Sequence, residues 1–239
     1  MGTRRSLEKE YRTTRLAVVD DHDLAREGLR DMLADEPGIE VVGEAANGRE
    51  ALALCSRVRP DLVLMDVRMP EMDGLAATRE IKKKYPKISV LMVTMHENPD
   101  YLLEALKAGA AGYVLKDALQ HDVIDAVQRV IEGESPLDPE LATRLLRRLA
   151  TEERDQGSAL RKSRERGGVP YTEPLTPREF EVLGFLKLGW TNRQIAQSLV
   201  ISMGTVKNHV EHIIQKLGVS DRTQAVVRGF ELGILDFSE

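Results

Sequence analysis

Two adjacent carboxylates, Asp20 and Asp21, follow the apolar run Leu16–Val19, and a third, Asp66, follows Leu62–Met65. Thr94 follows Val90–Val93 and Lys116 follows Tyr113–Leu115. Each run is short and rich in Val, Ile or Leu, the pattern of a strand buried on both faces of a parallel sheet. Ligands of such a sheet bind beyond the carboxyl ends of its strands, near the point where strand order reverses. Three carboxylates, a hydroxyl and an ammonium thus converge on one rim. Carboxylates that share a site repel one another unless a cation lies among them. Oxygen donors without His or Cys select a hard ion, and Mg²⁺ is the usual choice where phosphate is handled. Asp66 is then a carboxylate nucleophile that can take a phosphoryl group as an acyl phosphate. Because the charge of the transferring group is spread over its oxygens, this chemistry consists of positioning and electrostatics. Mg²⁺ on Asp20, Asp21 and Asp66 would neutralise one side, Lys116 would pair with another oxygen, and Thr94 would donate to a third. Taken singly, Asp20-Asp21 reads as an acidic helix start and Lys116 as a solvated lysine. Five such groups at the ends of four candidate strands do not fit that reading.

The elements that must hold these groups follow from periodicity. Ile39–Val42 supplies a fifth strand. Leu24, Gly28, Leu29, Met32 and Leu33 recur at helical spacing, as do Val123, Ile124, Val127, Val130 and Ile131. Asn98 before Pro99 reads as a cap with proline at the first helical position. Five strands alternating with five helices predict a doubly wound α/β domain. Gly133 and Pro136 close it. Asp138 to Ala150 reads as one further helix, with Leu141, Leu145, Leu146 and Leu149 in a stripe. The polar stretch to Thr172 reads as a flexible linker.

From Leu175 onward the signals are helical. Thr176-Pro177-Arg178-Glu179 and Thr191-Asn192-Arg193-Gln194 are capping boxes. A third helix carries Val206, Val210, Ile213, Ile214 and Leu217 on one face, and a fourth runs from about Asp221 to Leu232. Thr191–Leu199 and Met203–Leu217 together form a helix-turn-helix. Its second helix packs the valines inward and turns Lys207, Asn208, Glu211, His212 and Gln215 outward. Lysine suits phosphate or guanine, asparagine suits adenine, and glutamate accepts from cytosine.

Composition bounds the function. Of 239 residues 42% are hydrophobic and 31% charged, a soluble globular balance. No apolar stretch approaches the roughly 18 residues of a membrane span. The basic N-terminus lacks an apolar core and reads as a solvated tail, not a secretory signal. Cys55 is the single cysteine, which excludes an intramolecular disulfide and suits a cytoplasmic setting. Residues 16–134 hold 14 Lys and Arg against 23 Asp and Glu, a net of −9, whereas residues 175–239 hold 7 against 7. An acidic half suits a cation site. A neutral half gives one copy little nonspecific grip on nucleic acid, so DNA binding must rest on a few placed residues and on pairing of copies.

The stretches Val18-Val19-Asp20-Asp21-His22, Leu64-Met65-Asp66-Val67-Arg68-Met69-Pro70, Met72-Asp73-Gly74 and Gly112-Tyr113-Val114-Leu115-Lys116 resemble the receiver domains of response regulators. The resemblance implies a flavodoxin-like five-stranded parallel sheet of order 2-1-3-4-5 with Asp66 as phosphoacceptor. It also implies that the Arg68 carbonyl completes the metal shell and that Tyr113, with Thr94, is the switch pair. Many receivers follow the lysine with proline; this chain has Asp117. The motifs Leu175-Thr176-Pro177-Arg178-Glu179, Asn192-Arg193-Gln194-Ile195-Ala196, Thr205-Val206-Lys207-Asn208-His209-Val210 and Lys216-Leu217-Gly218-Val219 resemble the LuxR-type output domain of NarL/FixJ regulators. Two residues depart from that pattern: Gly204 stands where a polar or basic residue is common, and Glu211 puts acid on the DNA face.

The resemblance divides the chain into a tail (1–14), a receiver (15–134), a linker (135–171) and a four-helix LuxR-type domain (172–239). It implies a transcription regulator rather than an enzyme, with phosphoryl transfer and hydrolysis at Asp66 self-catalysed. Implied partners are a sensor histidine kinase, promoter DNA, a second copy on phosphorylation, and RNA polymerase; no membrane is implied. Thr205, Lys207, Asn208, Glu211, His212 and Gln215 are the expected DNA contacts. A phosphatase using an aspartyl intermediate is the main rival, but the chain offers no cap domain and no second carboxylate placed as acid. An unphosphorylated docking module is the other, against which the complete acidic set argues.

Overall fold

The computed structural model describes residues 13–95, 99–116, 120–136 and 173–235. Strands β1 (Thr14–Val19), β2 (Ile39–Ala45), β3 (Leu62–Met65), β4 (Ser89–Thr94) and β5 (Gly112–Leu115) form one parallel sheet in the order β2-β1-β3-β4-β5. Between and after them lie α1 (Asp23–Ala34), α2 (Gly48–Val58), α3 (Gly74–Lys84), α4 (Pro99–Ala108) and α5 (Gln120–Ile131). The predicted strand order is the observed one.

The apolar runs become strands because helices cover both faces of the sheet. Leu16, Val18, Leu62, Leu64, Leu91 and Val93 point to one side, among Leu33 of α1 and Val123 and Val127 of α5. Ala17, Val19, Val63, Met65, Val90 and Met92 point to the other, among residues of α2, α3 and α4. The alternation is that of a two-sided sheet. β2 departs from full burial: it lies at the edge and only Ala45 is buried. β1 begins at Thr14, inside the stretch read as tail and two residues before Leu16, because Thr14 N donates to Gly38 O and the ladder pairs Thr14 with Ile39.

A second group of helices follows: α6 (Pro177–Lys187), α7 (Asn192–Leu199), α8 (Met203–Leu217) and α9 (Arg222–Glu231). Both expected capping boxes are present. Thr176 and Glu179 satisfy each other's backbone N–H groups, and so do Thr191 and Gln194. α7 ends on Val200 and α8 on Gly218, both in the left-handed region. Val182, Leu183, Ile195, Val206, Val210 and Ile213 fill the centre of this group. The helix expected over 138–150, the flexible stretch after it, the Asn98 cap and Asp117 lie outside the described residues.

Candidate functional site

The sheet register builds the rim. Backbone pairing continues one residue past the strands: Asp20 N donates to Ala45 O (3.1 Å), Asp66 N to Val19 O (2.8 Å) and Lys116 N to Thr94 O (2.7 Å). Asp20, Asp66 and Thr94 are consequently buried together at the carboxyl ends of β1, β3 and β4. Lys116 Nζ lies 2.6 Å from Asp20 Oδ2 and 3.1 Å from Asp66 Oδ2, so one ammonium bridges two carboxylates. The other Asp66 oxygen, Oδ1, accepts from Val67 N at 2.8 Å. Burial raises the Asp66 pKa above the ordinary aspartate value, against the opposing charge and hydrogen bond of Lys116.

Asp20 is tied from below. Its Oδ1 accepts from His22 N (3.0 Å), and its carbonyl accepts from Arg26 Nη1 (2.7 Å). Its Oδ2 is shut off from solvent and, although close to Lys116 Nζ, receives no well-directed hydrogen bond. Asp21 is partly exposed, and one ligand atom each from Asp20, Asp21 and His22 lies within 4.8 Å of the others. Two carboxylates, one with an unsatisfied buried oxygen, beside a third at Asp66 are an oxygen-donor set that fits a hard divalent cation such as Mg²⁺. His22 was not among the sequence-derived ligands. Its place directly after the acidic pair was the only signal for it, and its Nδ1 lies 3.2 Å from Asp21 Oδ1.

Loop geometry holds Asp66 in place. Asp73 caps α3 by accepting from Ala76 N (2.7 Å), and Gly74 N donates back to Val67 O (2.9 Å). Arg68 sits exposed in this loop, two residues past Asp66. Tyr113 lies on β5, half-buried and hydrogen-bonded to the Thr94 side chain; burial pushes its phenol up to about 12. Tyr113 also packs against two apolar clusters, one inside the sheet domain and one that includes the C-terminal helices.

On α8, Val206, Val210, Ile213 and Leu217 are buried, while Lys207, Asn208, Glu211, His212 and Gln215 are exposed, as the helical pattern predicted, and Thr205 is exposed beside them. Thr205 N donates to Ser202 Oγ at the start of the helix, and its hydroxyl lies 2.8 Å from the same oxygen. His212 has a neighbour the sequence did not reveal: its Nδ1 lies 3.8 Å from Glu179 Oε1. Glu179, buried on α6, also binds Lys216 Nζ at 2.8 Å. One carboxylate therefore caps α6 and fastens α8 to it.

Comparison with known proteins agrees with this architecture. Residues 16–128 match the model of the response regulator receiver domain, and residues 173–228 match that of the bacterial regulatory proteins of the luxR family. The chain is 40% identical over 224 residues to the transcriptional regulatory protein DegU of Brevibacillus brevis, spanning 91% of this chain and 93% of that one. It is 39% identical over 223 residues to the response regulator protein VraR of Staphylococcus aureus, spanning 93% and 99%. Among solved structures, a LuxR-family two-component response regulator from Aurantimonas sp. SI85-9A1 shares 36% identity with a TM-score of 0.53. The match covers 59% of this chain and 98% of that one.

Proposed function

The chain belongs to the two-component response regulators of the NarL/FixJ family, a receiver joined to a LuxR-type DNA-binding domain, and we propose that Asp66 is the residue through which it is switched. The observation that carries this reading is the bridge from Lys116 Nζ to both Asp66 and Asp20 at the buried rim. An Asp66 carboxylate oxygen forms the new bond to phosphorus as the bond from a kinase histidine nitrogen breaks. Val67 N holds the Asp66 carboxylate in place, and Lys116 turns its ammonium to the incoming phosphoryl oxygens. Asp20, Asp21, Asp66 and the Arg68 carbonyl would hold Mg²⁺, which when bound would supply the charge neutralisation that two positioned side chains cannot. Thr94 donates to a phosphoryl oxygen and draws Tyr113 with it. Hydrolysis of the acyl phosphate by water, without further catalytic groups, resets the switch.

The output of this switch is pairing. Because the DNA-binding half carries no net charge, a second copy doubles the placed contacts on a palindromic site. The reading helix is α8, with Thr205, Lys207, Asn208, Glu211, His212 and Gln215 towards the groove. A sensor histidine kinase, promoter DNA, a second copy and RNA polymerase are the partners, and the setting is cytoplasmic. No helix among the described residues is long and apolar enough to cross a membrane.

Incubation with acetyl phosphate and Mg²⁺, followed by intact-mass measurement, tests the assignment. The parent chain gains one acid-labile phosphate, and EDTA abolishes the gain. An Asp66→Ala chain that still gains it would overturn the reading.

A further inference from the structure

The start of α8 carries a glycine that the fold does not need. Gly204 has room for a side chain: an added β-carbon would meet nothing nearer than Ser202 Oγ, at 3.7 Å. Its φ lies outside the left-handed region, and glycine disfavours a helix. Neither packing nor backbone conformation therefore calls for glycine there. Gly204 stands one turn before Lys207 and Asn208, at the two spacings whose residues share a helix face. The reading face thus begins with a bare patch of backbone. Directly beside it, Met203 is 47% exposed.

Met203 lies among apolar and cationic groups. An open depression between α7 and α8 has Arg193, Gln197, Val200 and Met203 in its walls. Val200 is 89% exposed and closes α7 at a φ of 53°, a left-handed conformation that a β-branched residue rarely adopts. The hydroxyls at the start of α8 are engaged with each other: Ser202 Oγ accepts from Thr205 N and lies 2.8 Å from Thr205 Oγ1. Arg193 and Lys207, by contrast, are exposed and have no carboxylate or hydrogen-bond partner among the described residues. Arg193 shares the depression with Met203, and Lys207 follows Met203 by one turn of the same helix. An exposed thioether between two uncompensated cations fits a polyanion that also offers an apolar group. Duplex DNA is such a ligand. Its phosphates border the major groove, and among the four bases thymine presents a methyl group there.

We propose that Met203 is a specificity-determining residue of the DNA-binding face and reads a thymine methyl group in the major groove. The absence of a side chain at Gly204 lets the base edge approach, Val200 extends the apolar contact, and Arg193 meets an adjoining phosphate. The proposal rests on the reading of α8 as the recognition helix given above. It adds a base preference that polar pairing by Lys207 and Asn208 does not supply. Burying one methyl group is worth about a fourfold gain in affinity, so the contact sorts sequences more than it holds DNA.

Duplexes selected from random DNA by the full chain, with acetyl phosphate and Mg²⁺, supply the probe. Replacing each thymine in turn by deoxyuridine removes one methyl group and leaves base pairing intact. By fluorescence anisotropy the parent should lose about fourfold in affinity at one thymine of each half-site. Met203→Ala should lose as much on the unmodified duplex and nothing further when that thymine is replaced, whereas Met203→Leu keeps the discrimination. Gly204→Leu should keep the parent's circular dichroism and thermal midpoint yet weaken binding; parental binding by this variant overturns the role of the bare patch. Arg193→Ala should weaken binding evenly across sequences and lower the salt slope by about one charge per copy. A Met203→Ala chain that binds every duplex as the parent does, but loses transcription with RNA polymerase, assigns the patch to a protein partner and overturns the proposal. If the losses at every thymine are additive while Lys207→Ala and Asn208→Ala still weaken binding, Met203 alone falls. Parental binding by those two variants, or a selection that enriches no sequence, overturns the reading of α8 and Met203 with it.

Discussion

Gly74 lies so close beneath Asp66 that a β-carbon added to it would overlap the Asp66 carbonyl oxygen and stand 2.9 Å from the carbonyl carbon. The same glycine donates its N–H to Val67 O, so the start of α3 presses directly on the backbone that carries the candidate phosphoacceptor. Gly74→Ala should therefore shift Asp66 or unseat α3, at a cost of roughly 1–3 kcal/mol. Urea unfolding will report the loss. Labelling by acetyl phosphate should drop further than the folded fraction does. A variant with parental stability and labelling would show that the loop can yield without disturbing Asp66.

Asp66 attacks only as the carboxylate, and burial raises its pKa while Lys116 opposes the rise. The initial labelling rate should thus fall, on acidification, at a pH above that of an exposed aspartate. Lys116→Ala removes the opposing charge and should move the midpoint higher still, besides slowing the plateau rate. The stability sign is the matching one. A carboxyl whose folded pKa is raised favours the fold while protonated, and that contribution is lost as pH rises through the folded value. Rate–pH profiles of both chains with a fixed phosphodonor check this; coincident midpoints would remove Lys116 from the electrostatics of the site.

The rim could be read from the sequence because each of its residues directly follows a local signal. Asp20, Asp66, Thr94 and Lys116 end apolar runs, and parallel pairing places run ends side by side. The inward face of α8 was legible for the same reason, since helical spacing alone predicts Val206, Val210 and Ile213. Glu179 was half legible. Its capping role follows from Thr176 three residues earlier, whereas its bond to Lys216 spans 37 residues and no pattern announces it. The contacts of Gln224 with Leu106 and Ala110 span more than a hundred residues and come from a polar side chain at an ordinary helix start. Pairings of that kind depend on how finished elements meet, and one-dimensional periodicity holds no record of it.

Glu179 offers a separable test of how α8 is held. Burial raises its pKa, but the hydrogen bond from Lys216 and those at Thr176 outweigh it, and the net shift is downward from 4.5. A depressed carboxylate stabilises the fold above its unfolded value and stops doing so as pH falls through the folded one. Glu179→Gln should cost roughly 1–3 kcal/mol at neutral pH, and the difference from the parent should shrink below about pH 4. Denaturant titrations at three pH values will show the convergence. A constant gap across that range would mean that the carboxylate charge contributes nothing.

Lys207 and Asn208 project from α8 while Val210, two residues on, is buried with 4% exposure, so function and fold can be perturbed from adjacent positions. Lys207→Ala should weaken DNA binding without unfolding the domain. A lysine that touches phosphate loses affinity evenly across sequences, and the salt slope falls by about one charge. A lysine that reads a base loses roughly 1–3 kcal/mol on the cognate site alone. Asn208→Ala should show the second pattern, because its amide can pair in bidentate fashion with the adenine edge. Val210→Asp is the opposite control: a charge forced into the centre of the helical group should melt it. Fluorescence anisotropy at several salt concentrations, with circular dichroism on each variant, separates these cases. Folded Lys207→Ala and Asn208→Ala chains that bind selected operator DNA as the parent does would move the reading face away from α8.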